Sequence, residues 1–129
     1  MTDKKNRTIL IVEDEPQNRK LFKDVLQYRG FAVLEARDGR EGVSLARQHR
    51  PDLILMDIQM PIMDGISATR ILKQDSITQD IKVVALTANA MPGDREKILE
   101  AGCQDYISKP FRLHEFLEKI REYLPENPE

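Results

Sequence analysis

Short apolar segments alternate along the chain with longer segments in which apolar residues recur at helical spacing. The short segments are rich in Ile, Leu and Val, which is typical of strands buried on both faces of a sheet. Five strands are predicted, at residues 8–12, 32–34, 53–56, 83–86 and, more weakly, 106–107. Two helical faces are clear from their spacing: Leu21, Phe22, Val25 and Leu26, and later Leu113, Phe116, Leu117, Ile120 and Leu124.

Proline, glycine and aspartate mark the ends of the predicted helices. Pro16 suits the first turn of the first helix, and Gly30 suits its end. Asp38 and Asp64, each followed by glycine, open the second and third helices. The five helices are predicted at residues 15–29, from 38 to just before 51, 64–74, from 92 to about 102, and 113–124.

Strands that alternate with helices predict a parallel sheet, because right-handed crossovers place helices on both of its faces. The fold class is therefore a doubly wound α/β domain. We expect one domain over residues 1–129 with its core at about 8–124, a short polar tail at 125–129 and no output domain. In such folds the ligand site lies beyond the carboxyl ends of the strands.

Composition narrows the function classes. The chain has 129 residues, a formal net charge of −2 and one cysteine. Its charged start and single cysteine favour a cytoplasmic protein without a disulfide, and its apolar runs are too short to span a membrane. The near-neutral charge argues against direct nucleic-acid binding. Neither of the glycine-rich nucleotide motifs occurs.

Acidic and other polar residues stand where the predicted strands end. Glu13 and Asp14 follow the first strand, and Asp57 follows the third. Carboxylates brought together in this way repel one another, and a hard divalent cation such as Mg²⁺ (or Mn²⁺) would relieve the repulsion. The alternative is that Glu13 and Asp14 only cap the first helix. Thr87 and Lys109 arrive at the same edge and add a hydroxyl and an ammonium group.

These residues, in this order, resemble the receiver domain of two-component response regulators over residues 8–124. The matching segments are Glu13-Asp14, the run from Asp57 to Gly65, Thr87-Ala88, Tyr106 and Lys109-Pro110. The resemblance implies a flavodoxin-like sheet of strand order 2-1-3-4-5. It also implies a phosphorylation switch, in which a histidine kinase or histidine phosphotransfer protein donates a phosphoryl group to Asp57.

The resemblance further assigns roles to individual residues. Mg²⁺ would be held by Asp14, Asp57 and the backbone carbonyl of Gln59, with Glu13 acting mostly through water. The phosphoryl group would contact Thr87, Ala88 and Lys109, and Tyr106 would turn inward as Thr87 moves. The structural residues implied are Pro61, Gly65 and Pro110, the last after a cis peptide bond. Gln59 and Asn89 occupy the positions that tune the lifetime of the phosphorylated state in the family.

The signal would leave through the fourth helix, fifth strand and fifth helix to a downstream protein effector, and the protein would be a monomer or weak dimer. The chain resembles stand-alone receivers such as bacterial cell-division regulators, and a receiver excised from a hybrid sensor kinase is the alternative. An aspartyl-nucleophile phosphatase is disfavoured, because Gln59 stands where that class needs a second aspartate. A phosphorylation-independent scaffold is also disfavoured, because all the acids and the lysine are present.

Several other residues are predicted to have ordinary structural roles. His49 and His114 read as surface histidines rather than phosphorelay histidines. Cys103 reads as a buried or half-buried thiol. Met60, Met63 and Met91 flank the predicted site and are expected to pack or to contact a partner.

Overall fold

The computed structural model describes residues 7–88 and 92–124, and in these residues five strands and five helices alternate. The strands are β1 (Thr8–Val12), β2 (Ala32–Ala36), β3 (Leu53–Asp57), β4 (Lys82–Thr87) and β5 (Asp105–Ser108). The helices are α1 (Pro16–Tyr28), α2 (Gly39–His49), α3 (Gly65–Gln74), α4 (Pro92–Ala101) and α5 (Leu113–Tyr123). Each predicted element is confirmed, with shifts of one or two residues at several ends.

The strands form one parallel sheet of order β2-β1-β3-β4-β5, so the predicted fold class and strand order are confirmed. β1 lies between β2 and β3, and Val12 is paired in register with both Ala36 and Met56. Asp57 at the end of β3 is paired with Leu86 of β4. The carboxyl ends of β1, β3 and β4 therefore meet at one edge of the sheet.

Two hydrophobic clusters cover the two faces of the sheet, because side chains along a strand alternate between faces. In β1, Leu10 and Val12 belong to the cluster covered by α2, α3 and α4, whereas Ile9 and Ile11 belong to the cluster covered by α1 and α5. The second cluster holds a stack of three aromatic rings, in which Phe116 lies 5.1 Å from Phe22 and 5.4 Å from Phe111 between centroids.

The predicted helix caps are confirmed by hydrogen bonds. The side chain of Asp38 accepts from the backbone N–H of Glu41, and that of Asp64 accepts from the N–H of Ser67. Gly30 follows α1 with a φ of +96°, a conformation that glycine adopts without steric strain. These caps satisfy backbone donors that the first turn of a helix leaves unpaired.

Two members of the predicted apolar helix faces point outward. Leu21 in α1 is 54% exposed, and Leu113 in α5 is 51% exposed. The spacing alone marks both as core residues, but Phe22 and Phe116 are the aromatic residues of those faces that reach the sheet. Among the described residues, no helix is long and apolar enough to cross a bilayer.

Candidate functional site

Three carboxylates converge at the carboxyl edge of the sheet. Glu13 and Asp14 follow β1 directly, and Asp57 is the last residue of β3, so the order of the strands brings them together. One oxygen from each lies within 4.8 Å of the others. Glu13 is 1% exposed and Asp57 is 3% exposed, whereas Asp14 faces solvent. The predicted convergence of these acids is confirmed.

Glu13 is not the N-cap residue of α1. The N-cap of α1 is Glu15, whose side chain accepts from the N–H of Gln17. Glu13 Oε2 accepts from the N–H of Glu15 at 3.2 Å, and the other oxygen, Oε1, has no hydrogen-bond partner. Glu13 therefore does more than cap the helix, because its Oε1 lies within the acidic cluster, 3.6 Å from Lys109 Nζ.

Lys109 is the cation that reaches this cluster from β5. Its Nζ lies 3.5 Å from Asp57 Oδ1 and 3.6 Å from Glu13 Oε1. The backbone N–H of Lys109 donates to the carbonyl of Thr87, which ties the segment after β5 to the end of β4. The bond between Lys109 and Pro110 is cis, as the resemblance implied. A single ammonium thus faces two buried carboxylates.

Burial and mutual repulsion change the titration of the two buried acids. Burial raises the pKa of Glu13 to about 7, and the charge of Asp57 adds to this effect while Lys109 opposes it. Burial also raises the pKa of Asp57, against the opposing influence of Lys109 and of the hydrogen bond from the Gln59 N–H. The cluster therefore lacks positive charge when both acids are ionised.

The donor set fits a hard divalent cation. All three acids offer oxygen, the ligand atom that Mg²⁺ and Mn²⁺ prefer. Of the described residues, Glu13 holds the buried side-chain oxygen that lacks a hydrogen-bond partner, and it belongs to this cluster. An added cation would supply the charge that Lys109 alone does not.

Thr87, Ala88 and Gln59 border the cluster on the β4 side. Thr87 is the last residue of β4 and is buried, and Ala88 is exposed. The backbone N–H of Gln59 donates to Asp57 Oδ1 at 3.3 Å. The side-chain oxygen of Gln59 accepts from the N–H of Ala88 at 3.4 Å, so this residue spans the mouth of the site. Asn89 and Met91 lie outside the described residues.

Tyr106 lies half-buried on β5, packed against the α2–α4 side of the core. The guanidinium carbon of Arg95 in α4 lies 5.5 Å from the centroid of its ring. This distance allows a cation–π interaction between α4 and β5. This contact could not be predicted from the sequence, because it depends on how α4 packs beside the sheet.

The loop between β3 and α3 has two notable backbone features, a close approach at Gly65 and a positive φ at Ile62. A Cβ on Gly65 would meet the carbonyl oxygen of Asp57 and would lie 2.9 Å from Ile58 Cα. Glycine is therefore needed at position 65 because α3 begins too close to the end of β3 to leave room for a side chain. Ile62 has a φ of +71° and is 75% exposed, an uncommon backbone conformation for a β-branched residue. Pro61 is exposed beside it.

The remaining predicted assignments agree with the structure where it describes them. His49 and His114 are exposed, and Cys103 is buried with its Sγ 3.8 Å from Thr69 Oγ1. Met60 and Met63 pack against the core cluster beside the site. Contacts that sequence reasoning missed include those of Arg19, whose guanidinium donates to the backbone carbonyl of Glu13.

Fold and site together define a doubly wound α/β signalling domain with an acidic, lysine-bearing edge. The model of the response regulator receiver domain matches residues 9–121, and the chain belongs to this family. Membership places the chain in two-component phosphorelay signalling.

Known proteins of similar sequence are named as response regulators. The polar-differentiation response regulator DivK of Brucella anthropi is 48% identical over 118 residues, which cover 92% of this chain and 96% of that protein. DivK of Brucella ovis is 47% identical with the same coverage. These relatives are signalling proteins rather than metabolic enzymes.

Solved structures show the same fold in several settings. The receiver domain of the sensor histidine kinase PA1611 from Pseudomonas aeruginosa is 38% identical, with a TM-score of 0.86 over 95% of this chain and 100% of that one, and it has a magnesium ion coordinated in its active site cleft. The receiver domain of Ssk1 from Saccharomyces cerevisiae, solved with the histidine phosphotransfer protein Ypd1, is 30% identical, with a TM-score of 0.83 over 92% of this chain and 88% of that one. Similar chains include both response regulators and kinase-attached receivers, so the excised-receiver alternative stays open.

Proposed function

We propose that this protein is a phosphorylation switch whose phosphoacceptor is Asp57. The observation that supports this most directly is the pairing of Asp57 with Lys109 at 3.5 Å, beside two further acids that fit a divalent cation. A carboxylate oxygen of Asp57 attacks the phosphorus of a phosphohistidine. The new O–P bond forms as the N–P bond breaks, and the released imidazole takes up a proton.

Charge neutralisation is the main chemical requirement for this transfer, because phosphoryl oxygens carry the developing negative charge. Mg²⁺ or Mn²⁺ held by Asp14, Asp57 and the Gln59 carbonyl, with Glu13 acting through water, would supply part of that neutralisation. Lys109 supplies the remainder from within the chain. Its position between Asp57 and Glu13 lets it move onto a phosphoryl oxygen without leaving the site.

Thr87 and Ala88 are proposed to contact the phosphoryl group with a hydroxyl and a backbone N–H. The N–H of Ala88 is bonded to the side chain of Gln59 at 3.4 Å, a long contact that a phosphoryl oxygen would replace. Gln59 would then swing out of the mouth of the site. Through this exchange of hydrogen bonds, phosphorylation of Asp57 would change the contact between Gln59 and Ala88 at the end of β4.

The switch would use Thr87 and Tyr106 to change the surface formed by α4, β5 and α5. As Thr87 moves toward the phosphoryl group, Tyr106 turns into the space that it leaves. The Arg95 contact on the ring would weaken in that transition, so the surface of α4 would change with it. A downstream protein that reads this surface would gain or lose affinity.

A groove beside the site suits a phosphodonor protein. It has a volume of about 270 Å³ and is lined by Asn18, Leu21, Phe22, Lys109, Pro110 and Phe111. The exposed Leu21 offers apolar surface, and Lys109 joins the groove to the phosphoacceptor site. A histidine kinase or histidine phosphotransfer protein docked here would bring its histidine toward Asp57. The solved complex of the yeast Ssk1 receiver with Ypd1 supports a partner of this kind.

Incubation with a small acyl-phosphate donor and Mg²⁺ tests the proposal. Intact-mass measurement should show one added phosphoryl group on the wild type and none on Asp57→Asn. Asp80→Asn, which changes an exposed acid on the loop before β4, is the matched control and should be labelled like the wild type. An unlabelled wild type, or equal labelling of Asp57→Asn, would show that Asp57 is not the acceptor.

A further inference from the structure

Arg19 in α1 connects the acidic cluster to strand β2. Its Nη1 donates to the backbone carbonyl of Glu13 at 2.9 Å, and its Nε lies 3.5 Å from Glu35 Oε1. The side chain is 16% exposed, so the bonds form in a largely enclosed place. A planar guanidinium holds its donors apart in a rigid fork, so Nη1 and Nε can reach the two groups together, whereas a lysine presents all of its donors from one nitrogen atom.

These contacts fix the peptide groups on both sides of Glu13. The N–H of Glu13 donates to the carbonyl of Ala36 at the end of β2, and its carbonyl accepts from Arg19. Arg19 is in turn tied to Glu35, the residue before Ala36. The segment that presents Glu13 and Asp14 is therefore clamped to β2 from two directions, although Arg19 touches neither side-chain carboxylate.

We propose that Arg19 is a positioning residue that sets the cation affinity of the acidic cluster by holding the backbone of Glu13. The proposal rests on the function proposed above, because it takes the cluster to be a divalent-cation site. Residues that orient metal ligands through hydrogen bonds typically change metal affinity by about 10- to 100-fold when they are removed. We expect a loss near the lower end, about tenfold, since Glu13 keeps its other backbone bond.

Electrostatics and positioning predict effects of opposite sign. Arg19 is a positive charge near an acidic site, so its removal would strengthen cation binding if only charge mattered. If the clamp matters, removal weakens binding, because the carboxylates lose their alignment. The direction of the change therefore distinguishes the two explanations without reference to its size.

Arg19→Met tests the clamp, since methionine keeps a long side chain and removes the donors. Lys23→Met is the matched control, because Lys23 lies 3.2 Å from the other oxygen of Glu35 and has no bond to the Glu13 backbone. Mn²⁺ binding is measured by the loss of the free-ion paramagnetic resonance signal, with Mg²⁺ as competitor. Circular dichroism and thermal unfolding in chelator show that each variant is folded at the assay temperature.

The expected result is about tenfold weaker Mn²⁺ binding by Arg19→Met and little change for Lys23→Met. Arg19→Lys keeps the charge and should also bind more weakly than the wild type, which a charge effect does not explain. Unchanged or tighter binding by folded Arg19→Met would overturn the proposal. If Arg19→Met does not fold, Arg19→Lys decides, and wild-type affinity in that variant would overturn it.

Failure of this inference and failure of the proposed function give different results. A wild type that binds no Mn²⁺ would remove the cation site itself and with it both proposals. A wild type that binds Mn²⁺ and is labelled on Asp57, together with variants of Arg19 that bind equally well, would overturn the positioning role alone.

Discussion

Replacing Glu13 by glutamine should stabilise the folded protein above pH 7 when divalent cations are absent. Burial, with the charge of Asp57, raises the pKa of Glu13 from 4.5 to about 7. An acid whose pKa rises on folding holds its proton more tightly in the folded state, so the folded state is penalised once that proton is lost. The penalty is absent below about pH 4.5, grows up to about pH 7 and is complete above it.

The size of this penalty follows from the same values. A rise from 4.5 to about 7 corresponds to about 3 kcal/mol if Glu13 titrates alone. Asp57 lies in the same cluster, has its own raised pKa and shares Lys109, so part of the penalty persists after Glu13 is neutralised. We therefore expect Glu13→Gln to gain about 1–3 kcal/mol at pH 8.

Urea unfolding followed by far-ultraviolet circular dichroism measures this gain, in excess chelator at pH 5 and pH 8. Glu118→Gln, at an exposed position of α5, is the control for the loss of one negative charge. The gain should be smaller at pH 5, and added Mg²⁺ should favour the wild type. The reasoning fails if Glu13→Gln is no more stable than the wild type at pH 8, or if Glu118→Gln gains as much.

Three further predictions concern the surrounding fold. Gly65→Ala should lower the free energy of unfolding by about 1–3 kcal/mol and slow phosphorylation. Gly93→Ala, whose new Cβ would meet no atom within 4 Å beyond its chain neighbours and the backbone of its own helix, should change stability by less than about 1 kcal/mol in urea titrations. Ile62→Asn should raise the midpoint of urea unfolding, by about 1 kcal/mol in stability, because asparagine tolerates the +71° φ; a loss of stability would contradict this. Burial opposes ionisation of Asp105, but hydrogen bonds from Lys119 and its other partners outweigh it and hold the pKa of Asp105 below its usual range. Asp105→Asn should thus be less stable than the wild type near neutral pH, and the difference should shrink as acid protonates Asp105; a constant difference would argue against the ion pair.

The main geometry of the site could be predicted from the sequence because the arrangement of the strands determines most of that geometry. Parallel strands bring Glu13, Asp57 and Thr87 to the same edge of the sheet, and the strand order implied by the receiver resemblance makes β1, β3 and β4 neighbours. The apolar runs were clear because these strands are buried on both faces. No tertiary detail was needed to place Lys109 at the same edge.

Contacts that depend on helix packing could not be read from the sequence. Arg19 is six residues beyond Glu13, and its bond to the Glu13 carbonyl requires the path of the β1–α1 connection and the position of Glu35 on β2. Arg95 meets Tyr106 only because α4 lies beside β5. Ile62 adopts a positive φ, whereas β-branched residues strongly prefer a negative φ, so its sequence alone predicts the wrong backbone conformation.

The unfavourable repulsion between the buried acids lies at the ends of two strands that are paired on both sides. Glu13 and Asp57 are buried acids whose charge Lys109 does not balance, yet they follow directly from β1 and β3. Those two strands are paired with neighbours on both sides, and their apolar residues in the two core clusters are fully buried. Moving the ends of these strands apart would disturb the pairing that buries that core. Repulsion therefore remains in the folded protein as a preference for added positive charge, which the proposed divalent cation would supply before the proposed phosphoryl transfer.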